Sequence, residues 1–76
     1  MELKKKANPM TGGVCCTFKK GENYFYADRS WISYLGCFET MIFPANEEGE
    51  VTDWTELYCD RSGQSLDKCV EEFLSE

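Results

Sequence analysis

The sequence predicts an α+β domain: an antiparallel β-meander of about four strands with one C-terminal amphipathic helix packed on it. Three observations carry this expectation. Short runs of β-branched and aromatic residues recur between turns containing Gly, Asn or Asp. Residues 65–74 instead repeat their apolar positions with a helical period. The chain has 76 residues, enough for one domain with a thin core. An apolar fraction of 42% and an aromatic content of 14% argue against a disordered segment.

Residues 1–13 are polar and basic, contain Pro9 and end in Gly12-Gly13, so a flexible N-terminal arm is expected, with residues 14–76 forming the domain. Val14-Cys15-Cys16-Thr17-Phe18 reads as a strand with Val14, Cys16 and Phe18 on one face. Gly21 marks the turn, and Asn23-Tyr24-Phe25-Tyr26-Ala27 returns as the second strand of a hairpin. Asp28-Arg29-Ser30 breaks the pattern. Residues 31–36 fit either extended structure with a bend at Gly36 or a single helical turn between Ser30 and Gly36.

From Cys37 to Phe43 the alternation places Cys37, Glu39, Met41 and Phe43 on one side, and Phe38, Thr40 and Ile42 on the other. Both faces are partly apolar, which points to a strand covered on two sides or meeting another subunit. Pro44 ends it, residues 45–50 form an acidic loop, and residues 51–60 are expected as the return strand. Leu66, Cys69, Val70, Phe73 and Leu74 then fall on one helical stripe, with Ser62 or Ser65 as the cap. A helix of about three turns does not stand alone in water, so the stripe must lie on the sheet.

Charge is unevenly distributed. Residues 1–38 hold six basic residues against three acidic ones, and residues 39–76 hold eleven acidic residues against Arg61 and Lys68; the net charge is −6. An acidic protein repels a phosphate backbone, so direct nucleic-acid binding is disfavoured and a basic protein partner is favoured. The chain shows neither the apolar core of a secretory signal nor a membrane-length apolar run, so a cytoplasmic location with reduced thiols is expected. The odd number of cysteines, five, agrees with that.

Without histidine, the commonest general base and activator of nucleophiles is missing, and no phosphate-binding glycine loop or nucleophile elbow occurs. No catalytic residue is therefore assigned, and no enzyme activity or cofactor is expected. Cys15, Cys16, Cys37, Cys59 and Cys69 lack a Cys-x-x-Cys pair, and the 46–53 acids lack calcium-loop spacing, so no metal site is assigned. Buried structural thiols are the favoured reading, with Cys15 and Cys16 nearest to lysines in sequence. Tyr24, Phe25, Tyr26, Trp31 and Tyr34 are suited to stacking on bases or lining a nucleotide pocket, but only Arg29 stands near them in sequence to hold a phosphate.

The order Glu39-Thr40-Met41-Ile42-Phe43, an acidic glycine-containing turn, Glu50-Val51-x-Asp53-Trp54-x-Glu56-Leu57 and a C-terminal amphipathic helix resembles a group of small uncharacterised proteins of phages and prophages of Gram-positive bacteria. Those proteins commonly carry a Gly-His step and a tryptophan late in the helix, where this chain has Val70-Glu71. The resemblance implies a viral accessory product acting in an infected or lysogenic cell.

Glu47, Glu48, Glu50, Asp53, Glu56 and Asp60 are concentrated in one loop and its return strand, so they form the expected partner-binding surface. Such carboxylates suit the Lys/Arg groove of a nucleic-acid-binding enzyme. The expected function is a non-catalytic, anti-CRISPR-like inhibitor of a host defence or nucleic-acid-processing protein, acting as a homodimer. An oligomeric sponge for a nucleotide signal and a structural or regulatory phage component are the alternatives.

Overall fold

The computed structural model describes residues 3–8 and 11–76. Five antiparallel strands stand side by side in chain order, β1 (Lys6–Asn8), β2 (Gly13–Lys20), β3 (Asn23–Ile32), β4 (Cys37–Ala45) and β5 (Tyr58–Asp60), followed by helix α1 (Leu66–Leu74). The fold class is the expected one, with one strand more. No helix among the described residues is long and apolar enough to cross a membrane.

The additional strand comes from the segment expected as a flexible arm. Lys6, Ala7 and Asn8 pair with Cys15, Val14 and Gly13, making β1 an edge strand. The arm's Met1, Glu2, Pro9 and Met10 lie outside the described residues. Lys5, just before β1, places its Nζ 3.2 Å from Asp67 Oδ2 and so links this edge to the helix.

Asp28-Arg29-Ser30 does not end β3, contrary to expectation, because each polar side chain finds company within the fold. Ser30 Oγ donates to Asp28 Oδ2 at 3.0 Å, while Arg29 Nε and Nη2 donate to the carbonyls of Gln64 and Gly63 at 3.0 and 3.2 Å. The Arg29 guanidinium also lies 4.0 Å from the centre of the Phe38 ring. Trp31 and Ile32 complete the strand, and residues 33–36 turn the chain. Gly36 has φ +66°, and its N–H donates to the Ile32 carbonyl at 2.9 Å. The extended alternative at 31–36 therefore holds for Trp31 and Ile32, followed by a tight turn.

β4 continues through Pro44 to Ala45 instead of stopping at Pro44. The expected return strand 51–60 is the larger correction. Val51 makes a single bridge to Ala45, and pairing resumes only at Tyr58, opposite Ile42. Two residues of β4, Phe43 and Pro44, thus face six on the returning chain. The Pro44 carbonyl accepts from Thr52 N–H at 3.0 Å and the Ile42 carbonyl from Leu57 N–H at 2.8 Å, so the chain between them bulges away from the sheet. Proline has no N–H to continue the ladder there.

The register fixes two faces. Cys16, Ala27 and Ile42 align across β2, β3 and β4 and receive Leu66 and Val70 of α1. Beside them Phe73 meets Phe25 edge-on at 5.0 Å, with Phe18 and Tyr58 completing an aromatic cluster at 5.9 and 6.3 Å. Burying each large apolar side chain contributes about 1.5–3 kcal/mol, which makes this single layer the main source of stability. Ser65, not Ser62, caps α1: its Oγ accepts from Lys68 N–H at 3.2 Å. The helix therefore occupies one face only, and the opposite face, including Cys15, Thr17, Tyr26, Met41 and Phe43, is left to the loops.

Candidate functional site: an acidic loop over a lysine-lined cavity

The loop between β4 and β5 folds back over this second face. Asn46 closes its first turn by accepting the Glu50 N–H on Oδ1 at 2.9 Å, while its own N–H donates to the Glu50 carbonyl at 2.9 Å. The turn brings Gly49 (φ +84°) so near β2 that a methyl group on it would lie 3.0 Å from Thr17 Cγ2. Further along, Trp54 lays its ring against Phe43 at 5.2 Å, edge to face. Phe43 is buried, whereas Trp54 remains 71% exposed and Leu57 52%.

The six carboxylates expected to form one surface divide into two groups. Glu47, Glu48, Glu50, Asp53 and Glu56 are all exposed along this loop. Asp53 Oδ1 accepts the Thr55 N–H at 2.9 Å, a bond that holds the Asp53 carboxyl below its ordinary range. Asp60 does not join them. It lies on β5 opposite Thr40, on the helix side of the sheet, where its oxygens accept from Ser62 Oγ at 2.9 and 3.0 Å and from Gln64 Nε2 at 3.3 Å. Its charge organises the turn into α1, and it leaves the proposed surface for that reason.

Under the loop is a cavity of about 180 Å³. It is lined by Lys4 and Lys6, by Cys15, Cys16, Thr17 and Tyr26 of the sheet, and by Glu48 and Gly49 of the loop. The strand register explains the grouping: Lys6 stands opposite Cys15, and Thr17 opposite Tyr26. Burial, supported by a hydrogen bond with Cys15, raises the Tyr26 phenol well above its usual pKa, so it is a neutral donor at physiological pH. Asp28 follows Cys15 in the same cross-strand row; its Oδ1 is buried and has no hydrogen-bond partner among the described residues.

The five cysteines do not converge. Cys15 and Cys16 are successive strand residues and so point to opposite faces, and Cys69 is buried on α1. Burial pushes Cys16 up to about 11 and also raises Cys59 and Cys69, the opposite of what activates a thiolate. Among the described residues no three His, Cys, Asp or Glu side chains are placed to share a metal ion.

In the sequence Lys4, Lys5 and Lys6 read as one charged run, which gives no sign of the cavity. Only a strand assignment at this edge separates them, turning Lys5 toward the helix and Lys6 toward the cavity. Comparison with protein-family models, with curated proteins and with solved structures gives no match for this chain.

Proposed function

We propose that this chain is a non-catalytic inhibitor that captures a basic protein surface with the loop between β4 and β5. The observation that carries the reading is the combination within that loop: Glu47, Glu48, Glu50, Asp53 and Glu56 are exposed beside exposed Trp54 and Leu57. None of the five carboxylates is in an ion pair among the described residues. Carboxylates steer the encounter with a Lys/Arg groove, and an aromatic and an aliphatic side chain supply the desolvated contact that holds it. The phage resemblance makes a host defence or nucleic-acid-processing protein the partner. A homodimer belongs to the same reading, with Ile32, Cys37 and Met41 as half-buried residues on the sheet face away from α1.

The test is capture from host lysate with immobilised protein. The expected result is retention of a nucleic-acid-binding protein that heparin and salt release. The Glu48→Lys, Glu50→Lys, Asp53→Lys variant should fold normally and lose it. Retention by this variant, or capture that heparin does not compete, would reject the reading.

A further inference from the structure

We propose that the cavity between β1, β2 and the 46–50 turn binds the phosphate group of a small sugar phosphate, with Lys4 and Lys6 as its cationic donors and Thr17 as its hydroxyl donor. The case rests first on uncommitted donors. Neither Lys4, Lys6 nor Thr17 makes a hydrogen bond or ion pair with another described residue, although all three line the same half-open cavity. A larger cavity of about 340 Å³ near the start of α1 also has basic residues, Lys5 and Arg29, yet both are already engaged. Lys5 is paired with Asp67, and Arg29 donates to Gly63 and Gln64.

Size and polarity narrow the ligand. Sites for whole drug-sized molecules occupy roughly 300–1,000 Å³, so a cavity of about 180 Å³ accommodates a phosphate and its attached group rather than a complete nucleotide. Two ammonium groups offset much of the charge of a phosphate dianion, and charge-assisted hydrogen bonds of this kind are about twice as strong as neutral ones. Glu48 in the lining opposes a bare anion but accepts from a hydroxyl. This favours a phosphate carried on a hydroxylated sugar, whether as a free sugar phosphate or as the 5′ end of a nucleotide whose base stays outside.

The measurement is a titration of ¹⁵N-labelled protein with inorganic phosphate, ribose 5-phosphate and a nucleoside 5′-monophosphate, read by amide shifts. Saturable shifts at Lys6, Cys15, Thr17 and Gly49 are expected, with both organic phosphates binding more tightly than inorganic phosphate. A gain for the monophosphate over ribose 5-phosphate assigns the nucleotide source, and equal binding assigns the sugar phosphate. The Lys4→Gln, Lys6→Gln variant should weaken binding by about tenfold or more, whereas Lys5→Gln should leave it unchanged. Absence of saturable shifts with all three probes overturns the proposal. So does an equal loss with Lys5→Gln, which would reveal diffuse attraction, or inorganic phosphate binding as tightly as the organic probes.

Discussion

Gly49 rests directly over Thr17: a methyl group added to the glycine would come within 3.0 Å of Thr17 Cγ2, and the backbone there has φ +84°. This contact sets the 46–50 turn against β2, so it joins the acidic loop to the lysine-lined cavity. Both requirements act against a side chain. An L-residue in the left-handed region is strained, and its Cβ meets a β-branched side chain with little freedom to turn. Gly49→Ala should therefore cost about 1–2 kcal/mol in urea unfolding. It should also displace the amide resonances of Thr17 and Glu48. Gly63→Ala is the control. It also has positive φ, but no atom within 4 Å of the added methyl, so it should show strain without the Thr17 shift.

Ile42 is fully buried at the centre of the sheet, between Ala27 on β3 and Tyr58 on β5, beneath Leu66 and Val70. Truncation leaves a cavity that a single-helix layer cannot fill. Ile42→Val should cost about 1 kcal/mol and Ile42→Ala about 2–5 kcal/mol. A domain of this size has a small reserve, typically 5–15 kcal/mol in all. Thermal unfolding should show a graded fall in Tm for valine and a large loss of folded protein for alanine.

Much of this layer was legible in the sequence because it depends on local periodicity. Leu66, Cys69, Val70 and Phe73 announce the α1 stripe, and the alternation of Val14, Cys16 and Phe18 fixes the face of β2. The failures have a different origin. The 51–60 run has strand composition, but its pairing is decided by β4, where Pro44 interrupts the ladder and the following chain bulges. Asp28-Arg29-Ser30 reads as a break until Gln64 and Gly63 arrive from 35 and 34 residues away to accept from Arg29. For the candidate site, Glu47, Glu48 and Glu50 occupy the expected loop, Asp53 and Glu56 lie exposed in the bulging segment instead of on a strand, and Asp60 is diverted by Ser62 and Gln64. The cavity depends on the unexpected β1, which sets Lys6 opposite Cys15, and on the 46–50 turn, which reaches Thr17 from far along the chain.

Lys20 supplies a cation that α1 lacks. No basic residue occurs in the last turn of the helix, but Lys20, at the end of β2, places Nζ 3.3 Å from the Phe73 carbonyl and 5.5 Å from the centre of the Phe73 ring. A positive charge at a helix C-terminus offsets the partial negative charge of its free carbonyls. Lys20→Met keeps the apolar stem over Phe73 and removes the charge. It should lower stability by about 0.3–1 kcal/mol at low ionic strength. The difference should shrink in high salt, where the charge is screened. Lys19→Met serves as the comparison, because Lys19 lies near Tyr24 on the other face and should show no such salt-dependent loss.

Cys16 links the core to alkaline stability. It is 3% exposed, and burial raises its thiol from an ordinary value near 9.0 to about 11. The neutral form is therefore the one the folded state prefers. Below the unfolded pKa both states hold the proton, and Cys16 imposes no penalty. Between about 9 and 11 the unfolded chain releases its proton first, so unfolding gains free energy and stability falls as pH rises. A two-unit shift corresponds to a ceiling near 2.7 kcal/mol, and partial solvation of the thiolate reduces the expected loss to about 1–2 kcal/mol. Cys59 and Cys69, also raised by burial, add to the decline in the same direction. Urea unfolding at pH 8 to 11, with a reductant present, should show this falling limb. Cys16→Ala should start from lower stability and lose less across that interval. If its pH profile ran parallel to that of the unmodified chain, the thiol would not be the group responsible.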